Sequence, residues 1–366
     1  VARALGEGRG PGAVELVGAR RGLDAQLLAG EGVPVTLLPG RGITRRLDRR
    51  SLGANIGAVA GLLAAFGAAL VLVARRRPSV VVAMGGYACV PTAVAAALLG
   101  IPVVLVNVDA VPGAANRMVG RFARAAAVAF DGTALPRAVV TGAPVREVIV
   151  EAARRDATTR TRAEAVLGIA PGRLVVAAVG GSLGSRRLNE AVLGLAELWA
   201  HRADVAIYHV VGRRDADWAA TAAARLAPPG PEGLWYLQVP YEERMALFYQ
   251  AADIVVGRAG ANTVAELAVV GVPSILVPLP GAPGDHQRAN AGVLERVGAA
   301  VVVSDPECTG PRLATEIDVL VSDPERLAAM GRAAATVGRP DAVAAVAAVA
   351  RSHARTHRGP DSGDAR

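Results

Sequence analysis

Three segments in the second half of the 366-residue chain place glycines, hydroxyls and a carboxylate where a phosphate-bearing ligand could be held. Gly180-Gly181-Ser182-Leu183-Gly184-Ser185 follows an apolar run and precedes a helical pattern. Glycines there let the backbone approach a ligand closely, and the amides of a helix start can hold phosphate oxygens without lysine or metal. A plain strand-to-helix turn has the same composition. Arg258-Ala259-Gly260-Ala261-Asn262-Thr263-Val264-Ala265-Glu266 makes a second such junction. Thr263 offers a hydroxyl and an amide to a phosphate, and Glu266, read in the first helical turn, offers a carboxylate to two ribose hydroxyls. A capping box with glutamate at the third helical position explains the same spacing. In the third segment, Val277–Asn290, Asp285 is expected to cap the following helix, and His286 and Gln287 point from a Pro/Gly loop toward a ligand above the sheet. In the first half, Met84-Gly85-Gly86-Tyr87, Asp109–Arg117 and Val140–Arg146 also follow strand-like runs. Arg146 is suited to a diphosphate or a carboxylate.

These segments need elements that deliver them to one edge of a sheet. Short Val-rich runs alternate with Ala-rich helical stretches, the pattern of βαβ units. Strands are predicted at Val14–Val17, Pro34–Leu38, Val80–Met84, Val103–Val106 and Ala126–Phe130. A second series follows at Leu174–Val179, Val205–Val210, Trp235–Val239, Ile254–Val256, Ser274–Val277 and Ala300–Val303. Helices fit at Leu52–Ala74, Pro91–Leu99, Ala114–Arg121, Arg187–Ala200, Thr263–Val270 and Gln287–Val297. The pattern predicts two doubly wound α/β domains, at residues 1–150 and 163–340, joined through the polar stretch Glu151–Arg162, with a disordered tail over 351–366. Ligands of such sheets bind outside the strand C-termini, where all of these loops fall. Val1–Leu5 reads as the end of a helix before a Gly-rich turn, so the first strand and first Gly-rich loop of a doubly wound domain are expected to be missing from this chain.

Composition narrows the function classes. Hydrophobic residues make up 52% of the chain and aromatics only 3%, which suits Ala/Val cores of helices on parallel strands. There is no lysine, so the formal net charge of +8 is carried by arginine. Basic charge fits anionic substrates or an anionic membrane surface. No zinc spacing, aromatic-interleaved basic motif or recognition-helix signature points to nucleic acid. Cys89 and Cys308 stand far apart, outside any CxxC motif, which fits a reducing compartment. The uncharged stretch Ser51–Ala74 is long enough to span a bilayer, but its Ala/Gly composition predicts a helix partly buried in the first domain. Arg45, Arg46, Arg49 and Arg50 precede it and Arg75, Arg76 and Arg77 follow it, so an apolar edge ringed by arginine can meet a membrane surface. No GxGxxG fingerprint with an acidic partner supports a dinucleotide oxidoreductase.

In order along the chain, Gly85–Tyr87, Ala110–Arg117, Thr141–Arg146, Gly180–Val192, Arg258–Leu267 and His286–Ala291 resemble the MurG family of glycosyltransferases, over about Val1 to Val303. The resemblance implies the GT-B fold, two Rossmann-like domains facing across a cleft that holds the donor. It implies inverting, metal-independent transfer of N-acetylglucosamine from UDP-GlcNAc to a lipid-linked muramyl-pentapeptide, a polyprenyl-pyrophosphoryl glycolipid, with no cofactor. It implies a peripheral enzyme at the cytoplasmic face of the membrane. Substrate binding is implied for Arg146, Ser182, Thr263, Glu266, Gln287 and Asn116, and Asp109 and His286 remain as candidates for the general base. Several positions depart from the family. Its opening Gly-rich loop with a histidine is not in this chain, and its His-Glu-Gln-Asn run reads Val106-Asn107-Val108-Asp109. Gly-Ser-Gln-Gly has become Gly181-Ser182-Leu183-Gly184, and the histidine after Pro-Leu-Pro is Gly281. These departures keep two further readings open: an impaired UDP-sugar-binding paralogue, and a related transferase with a different acceptor.

Overall fold

A computed structural model of the chain describes residues 1–10, 12–20, 32–39, 49–86, 88–181, 183–226 and 232–355, and of residues 49–60 the backbone alone. The chain forms two compact units, the first from Val1–Val108, Pro112–Thr141 and Asp341–Arg366, the second from Asp109–Val111 and Gly142–Pro340.

The first unit runs α1 (Ala2–Gly6), β1 (Leu16–Ala19), β2 (Val35–Leu38), α2 (Arg49–Arg76), β3 (Val81–Ala83), α3 (Cys89–Leu98), β4 (Val103–Asn107), α4 (Ala114–Gly120), β5 (Ala125–Val128) and β6 (Ala138–Val140). Strands β3, β4, β5 and β6 form a parallel sheet in that order, and β1 pairs with β2, also parallel. Every residue of β4 is buried, as a near-continuous apolar run in a parallel sheet requires. On α2 the four-residue spacing of Ala65, Ala69 and Val73 makes one buried stripe, which shares a core with Ala93 and Ala96 of α3. Alanines at both positions let the two helices approach closely. Leu63 and Val71, off that stripe, stay exposed. The C-terminal end of α2 is tied to β1 and β2 through Glu15, which pairs with Arg76 at 2.9 Å and accepts from Thr36.

The second unit runs α5 (Glu147–Ala152), α6 (Ala157–Leu167), β7 (Leu174–Val179), α7 (Arg186–Leu198), β8 (Val205–Val210), α8 (Ala216–Ala223), β9 (Trp235–Val239), α9 (Met245–Ala251), β10 (Ile254–Gly257), α10 (Ala261–Val270), β11 (Ser274–Leu276), α11 (His286–Arg296), β12 (Ala300–Val302), α12 (Gly310–Val321) and α13 (Pro324–Val337). Its six parallel strands lie in the order β12-β11-β10-β7-β8-β9. This is the doubly wound order, and its switch point falls between β7 and β10. The last helix, α14 (Ala342–His353), returns to the first unit, where Val346 packs with Val106 and Ala127.

All eleven expected strands are present, some displaced by up to two residues at an end. Strand β6 is given no range by the sequence, although Val140–Arg146 reads as following a strand-like run: the strand has three residues, all exposed at a sheet edge, so burial leaves little mark in its sequence. The domain limits also differ from expectation. The units part at Thr141 and Gly142, and 151–162, read as a joint, belongs to the second unit as α5 and the start of α6. Asp156 caps α6 in a capping box with Thr159, which explains its polarity without a linker. Helix α14 extends to His353, inside the expected tail, and 356–366 lie outside the described residues. By length and composition Pro324–His353 is apolar enough to cross a membrane. It is two helices, however, one in each unit.

Candidate functional site

The switch point brings the loop after β7 beside the loop after β10. Helices α7, α10 and α11 start at the C-terminal ends of β7, β10 and β11, and none of the three is closed by its own N-cap side chain. The N-cap of α7 is Ser185, whose hydroxyl is taken by Arg258, and that of α10 is Gly260, which has no side chain to give. The N-cap of α11 is Asp285, held at φ 50°, and its side chain does not cap, contrary to the sequence expectation. In the same unit α6, α12 and α13 are capped by Asp156, Thr309 and Asp323, while α5, α8 and α9 also lack a side-chain cap, so it is the place of α7, α10 and α11 after the C-terminal ends of β7, β10 and β11 that sets them apart. An uncapped start leaves first-turn amides and the positive end of the helix dipole open to an anion.

The β7–α7 loop is held from both sides. From β10, buried Arg258 donates through Nε and Nη2 to Ser185 Oγ at 2.9 and 2.6 Å, and through Nη1 to the carbonyls of Val277 and Pro278 at 3.1 and 3.2 Å. Its Nη2 also stands 2.5 Å from Asp305 Oδ1, as an ion pair not aligned as a hydrogen bond. From β8, the backbone at Gly212 presses on Gly184. Gly184 has φ 79°, and a Cβ there would run into the Val211 carbonyl, so only glycine fits the crossing. Asn189 of α7, fully buried, donates to that carbonyl at 2.9 Å and to Asp215 at 3.2 Å, and its Oδ1 meets His209 Nε2 at 3.0 Å. His209 Nδ1 faces the Tyr236 hydroxyl at 2.9 Å. Burial drives the His209 pKa down to about 3, so the ring is neutral: Nε2–H donates to Asn189 and Nδ1 accepts from Tyr236.

The residues expected to bind substrate are distributed as follows. Arg146, Thr263, Glu266 and Gln287 all belong to the second unit. Thr263 is the third residue of α10, in the turn whose amides lack intrahelical partners. Glu266 is the sixth, so it lies past the first turn and the capping-box alternative fails. Its Oε2 accepts from the Tyr249 hydroxyl at 2.8 Å, and its Oε1 lies 3.8 Å from Arg146 Nη2. Burial pushes the Glu266 carboxyl pKa up, against the opposing pull of Tyr249 and Arg146. Gln287, near the start of α11, accepts from the Leu279 amide at 2.9 Å and so folds the Pro278–Gly284 loop back on its own helix. Asn116 is in the first unit, where it donates to Asn107 at 2.9 Å beside Gly85. Ser182 lies outside the described residues.

Of the two base candidates, Asp109 opens the short segment Asp109–Val111, which is placed in the second unit although the chain before and after that segment belongs to the first. Asn290 of α11, fully buried, donates to Asp109 Oδ1 at 3.0 Å and to the Ala259 carbonyl at 3.2 Å, and accepts from the Ala110 amide at 2.8 Å. His286 Nδ1 meets the Pro283 carbonyl at 3.0 Å, which sets Nδ1 as the donor and leaves Nε2 to accept a proton. Tyr249, Arg258, Asn189 and Asn290 were not assigned roles from the sequence. Among the described residues no group of three or more His, Cys, Asp or Glu side chains is placed to hold a metal ion.

Residues 7–128 match the Glycosyltransferase family 28 N-terminal domain and 175–346 its C-terminal domain. Among curated relatives, the UDP-N-acetylglucosamine–N-acetylmuramyl-(pentapeptide) pyrophosphoryl-undecaprenol N-acetylglucosamine transferase of Moorella thermoacetica is 38% identical over 94% of this chain and 92% of its own length. That of Desulforudis audaxviator is 38% identical over 89% and 86%. Among solved structures, MurG of Acinetobacter baumannii is similar with a TM-score of 0.71 and 27% identity, covering 96% of this chain and 95% of that one. A UDP-GlcNAc 2-epimerase of Neisseria meningitidis shares the fold at 12% identity, with a TM-score of 0.60 over 92% and 99% of the two chains. The two domain matches in order, and more than a third of residues identical to full-length relatives, show that the chain belongs to the MurG family of N-acetylglucosaminyltransferases, with the two-domain GT-B fold.

Proposed function

We propose that this chain transfers N-acetylglucosamine from UDP-GlcNAc to the lipid-linked muramyl-pentapeptide of peptidoglycan synthesis, with inversion and without a metal. The observation that carries the reading is the pair of uncapped helix starts, of α7 and α10, that flank the switch point of the second unit, with Arg146 and Glu266 on the same unit. In this reading the starts of α7 and α10, with Arg146, meet the charge that develops on the departing UDP, as electrostatic stabilisation. Glu266 receives the ribose hydroxyls, and Asp109 or His286 takes the proton of the attacking acceptor hydroxyl. Radiolabelled transfer from UDP-GlcNAc to the lipid-linked muramyl-pentapeptide tests the assignment. Donor binding without any transfer would favour a UDP-sugar-binding paralogue.

A folded Glu266→Ala variant is expected to bind UDP about 1.5–3 kcal/mol more weakly by calorimetry, the worth of hydrogen bonds to a charged acceptor. The same titration in a chelator should leave wild-type affinity unchanged. A strict need for magnesium or manganese would sink the site assignment.

The acceptor's lipid and the exposed apolar residues of the first unit support a place at the cytoplasmic face of the membrane. Leu63 and Val71 of α2 and Leu98 of α3 are more than half exposed, on helices that pack together, with Arg75, Arg76 and Arg77 where α2 ends. Salt-sensitive, reversible binding to anionic vesicles is expected from that combination. No sedimentation with such vesicles at low salt would remove the membrane surface as a partner.

A further inference from the structure

The best-defined contact in the second unit that the proposed reaction does not use is the one between Tyr249 and Glu266. Tyr249 is 1% exposed, on α9, and its ring packs edge-on against Phe248 at 5.3 Å between centroids. Among the described residues its hydroxyl has one hydrogen-bond partner, Glu266 Oε2 at 2.8 Å. We propose that Tyr249 is a positioning residue for the nucleotide: its phenol holds Oε2 and so aims Oε1 of Glu266 at the vicinal diol of the ribose. The proposal rests on the assignment of Glu266 to the ribose.

The geometry leaves room for this division of labour. An ionised carboxylate has about four acceptor positions, and Tyr249 fills one. Arg146, at 3.8 Å from Oε1, is too far for a hydrogen bond, so it adds charge without occupying the oxygen. A carboxylate on a helix with no such anchor samples several rotamers and loses some of that freedom on binding a diol. Anchored by a buried phenol, it meets the ligand already oriented.

The same contact controls charge. A ribose hydroxyl donates best to an ionised acceptor. Glu266 lies where burial disfavours ionisation, and among the described residues the titratable and charged groups facing it are Tyr249 from α9 and Arg146 at the start of α5, both of which lower its pKa. Burial and the neighbouring carboxylate hold the Tyr249 phenol well above its ordinary range, so it remains a donor wherever Glu266 is ionised. Removing the phenol therefore raises the Glu266 pKa further. Affinity that depends on the ionised form is present above that pKa and lost below it, so its acid limb moves to higher pH.

The test is Tyr249→Phe, which keeps the ring against Phe248 and deletes one oxygen, alongside Glu266→Gln and the double variant. Calorimetry is run with UDP and with 2′,3′-dideoxyuridine diphosphate, which has the phosphates but not the diol. Tyr249→Phe is expected to weaken UDP about 10-fold. It should leave the dideoxy analogue unchanged, move the acid limb for UDP upward in pH, and cost nothing further on top of Glu266→Gln. Equal losses for both ligands overturn the proposal, because a purely structural role affects both. Unchanged UDP affinity in Tyr249→Phe with a loss in Glu266→Gln overturns it while sparing the assignment of Glu266. Unchanged affinity in both variants removes Glu266 from the site and Tyr249 with it.

Discussion

Arg258→Met is expected to destabilise the second unit by about 3–5 kcal/mol, the usual cost of deleting one partner of a buried ion pair. Methionine replaces the stem of the side chain but none of its donors. Ser185 Oγ, the carbonyls of Val277 and Pro278, and the Asp305 carboxylate would all lose their partner inside the protein. The Asp305 charge dominates, because an unpaired, partly buried carboxylate costs more than an unpaired hydroxyl. All three tryptophans, Trp199, Trp218 and Trp235, lie in the second unit, so urea unfolding followed by intrinsic fluorescence reports on that unit alone. Adding Asp305→Asn to Arg258→Met should recover part of the loss. A difference below about 1 kcal/mol between wild type and Arg258→Met would show that water or a rearrangement replaces the guanidinium. The loop proposed to offer its amides to phosphate ends at Ser185, so the variant should also bind UDP more weakly under conditions where it is still folded.

The second large effect is on rate. Asp109→Asn is expected to slow transfer at least ~100-fold, the low end of what a general base contributes, with UDP affinity little changed. Asparagine keeps the shape and can still accept from Asn290 through its amide oxygen, but it cannot take up the acceptor's proton. Asp109 is the stronger of the two candidates because Asn290 ties it to the Ala259 carbonyl, immediately before the N-cap of α10. His286 sits at the start of α11, where its ring meets the Pro283 carbonyl through Nδ1. Steady-state transfer at saturating donor, measured for Asp109→Asn and His286→Gln, separates them. Full-speed transfer by Asp109→Asn together with a collapse in His286→Gln would move the base to the histidine.

What the sequence disclosed and what it hid follow from the range of the forces involved. The Val-rich strands declare themselves because a strand buried on both faces of a parallel sheet leaves a continuous apolar run, as in Val103–Asn107. The Gly-rich strand-to-helix loops are legible because their chemistry is local: glycines, a hydroxyl and a helix start within a few residues of each other. The start of α10 was misplaced by two residues, since Gly260 and Ala261 carry no capping side chain to mark it, and that error put Glu266 in the first turn. The partners of Glu266 and Arg258 were hidden because they stand 17 and 73 positions away. Tyr249 reads as one more buried aromatic, and Arg258 as a surface charge. Asn290, buried and fully bonded, looks in sequence like any polar residue on an exposed helix. The division between units was hidden for the same reason, because the chain returns to the first unit only at Asp341.

That return has a consequence for how such enzymes can be recombined. A gene cut at Gly142 looks like a clean exchange point between two modules. Yet α14, which the C-terminal part would carry, supplies Val346 to the core of Val106 and Ala127, and Asp109–Val111, carried by the N-terminal part, is held by Asn290 of the other. A chimera joined at one point would thus mismatch both halves at once, each holding a piece of the other's native interior. A working exchange of specificity between relatives has to splice at Gly142 and again at Asp341, and must move Asp109–Val111 together with the middle block.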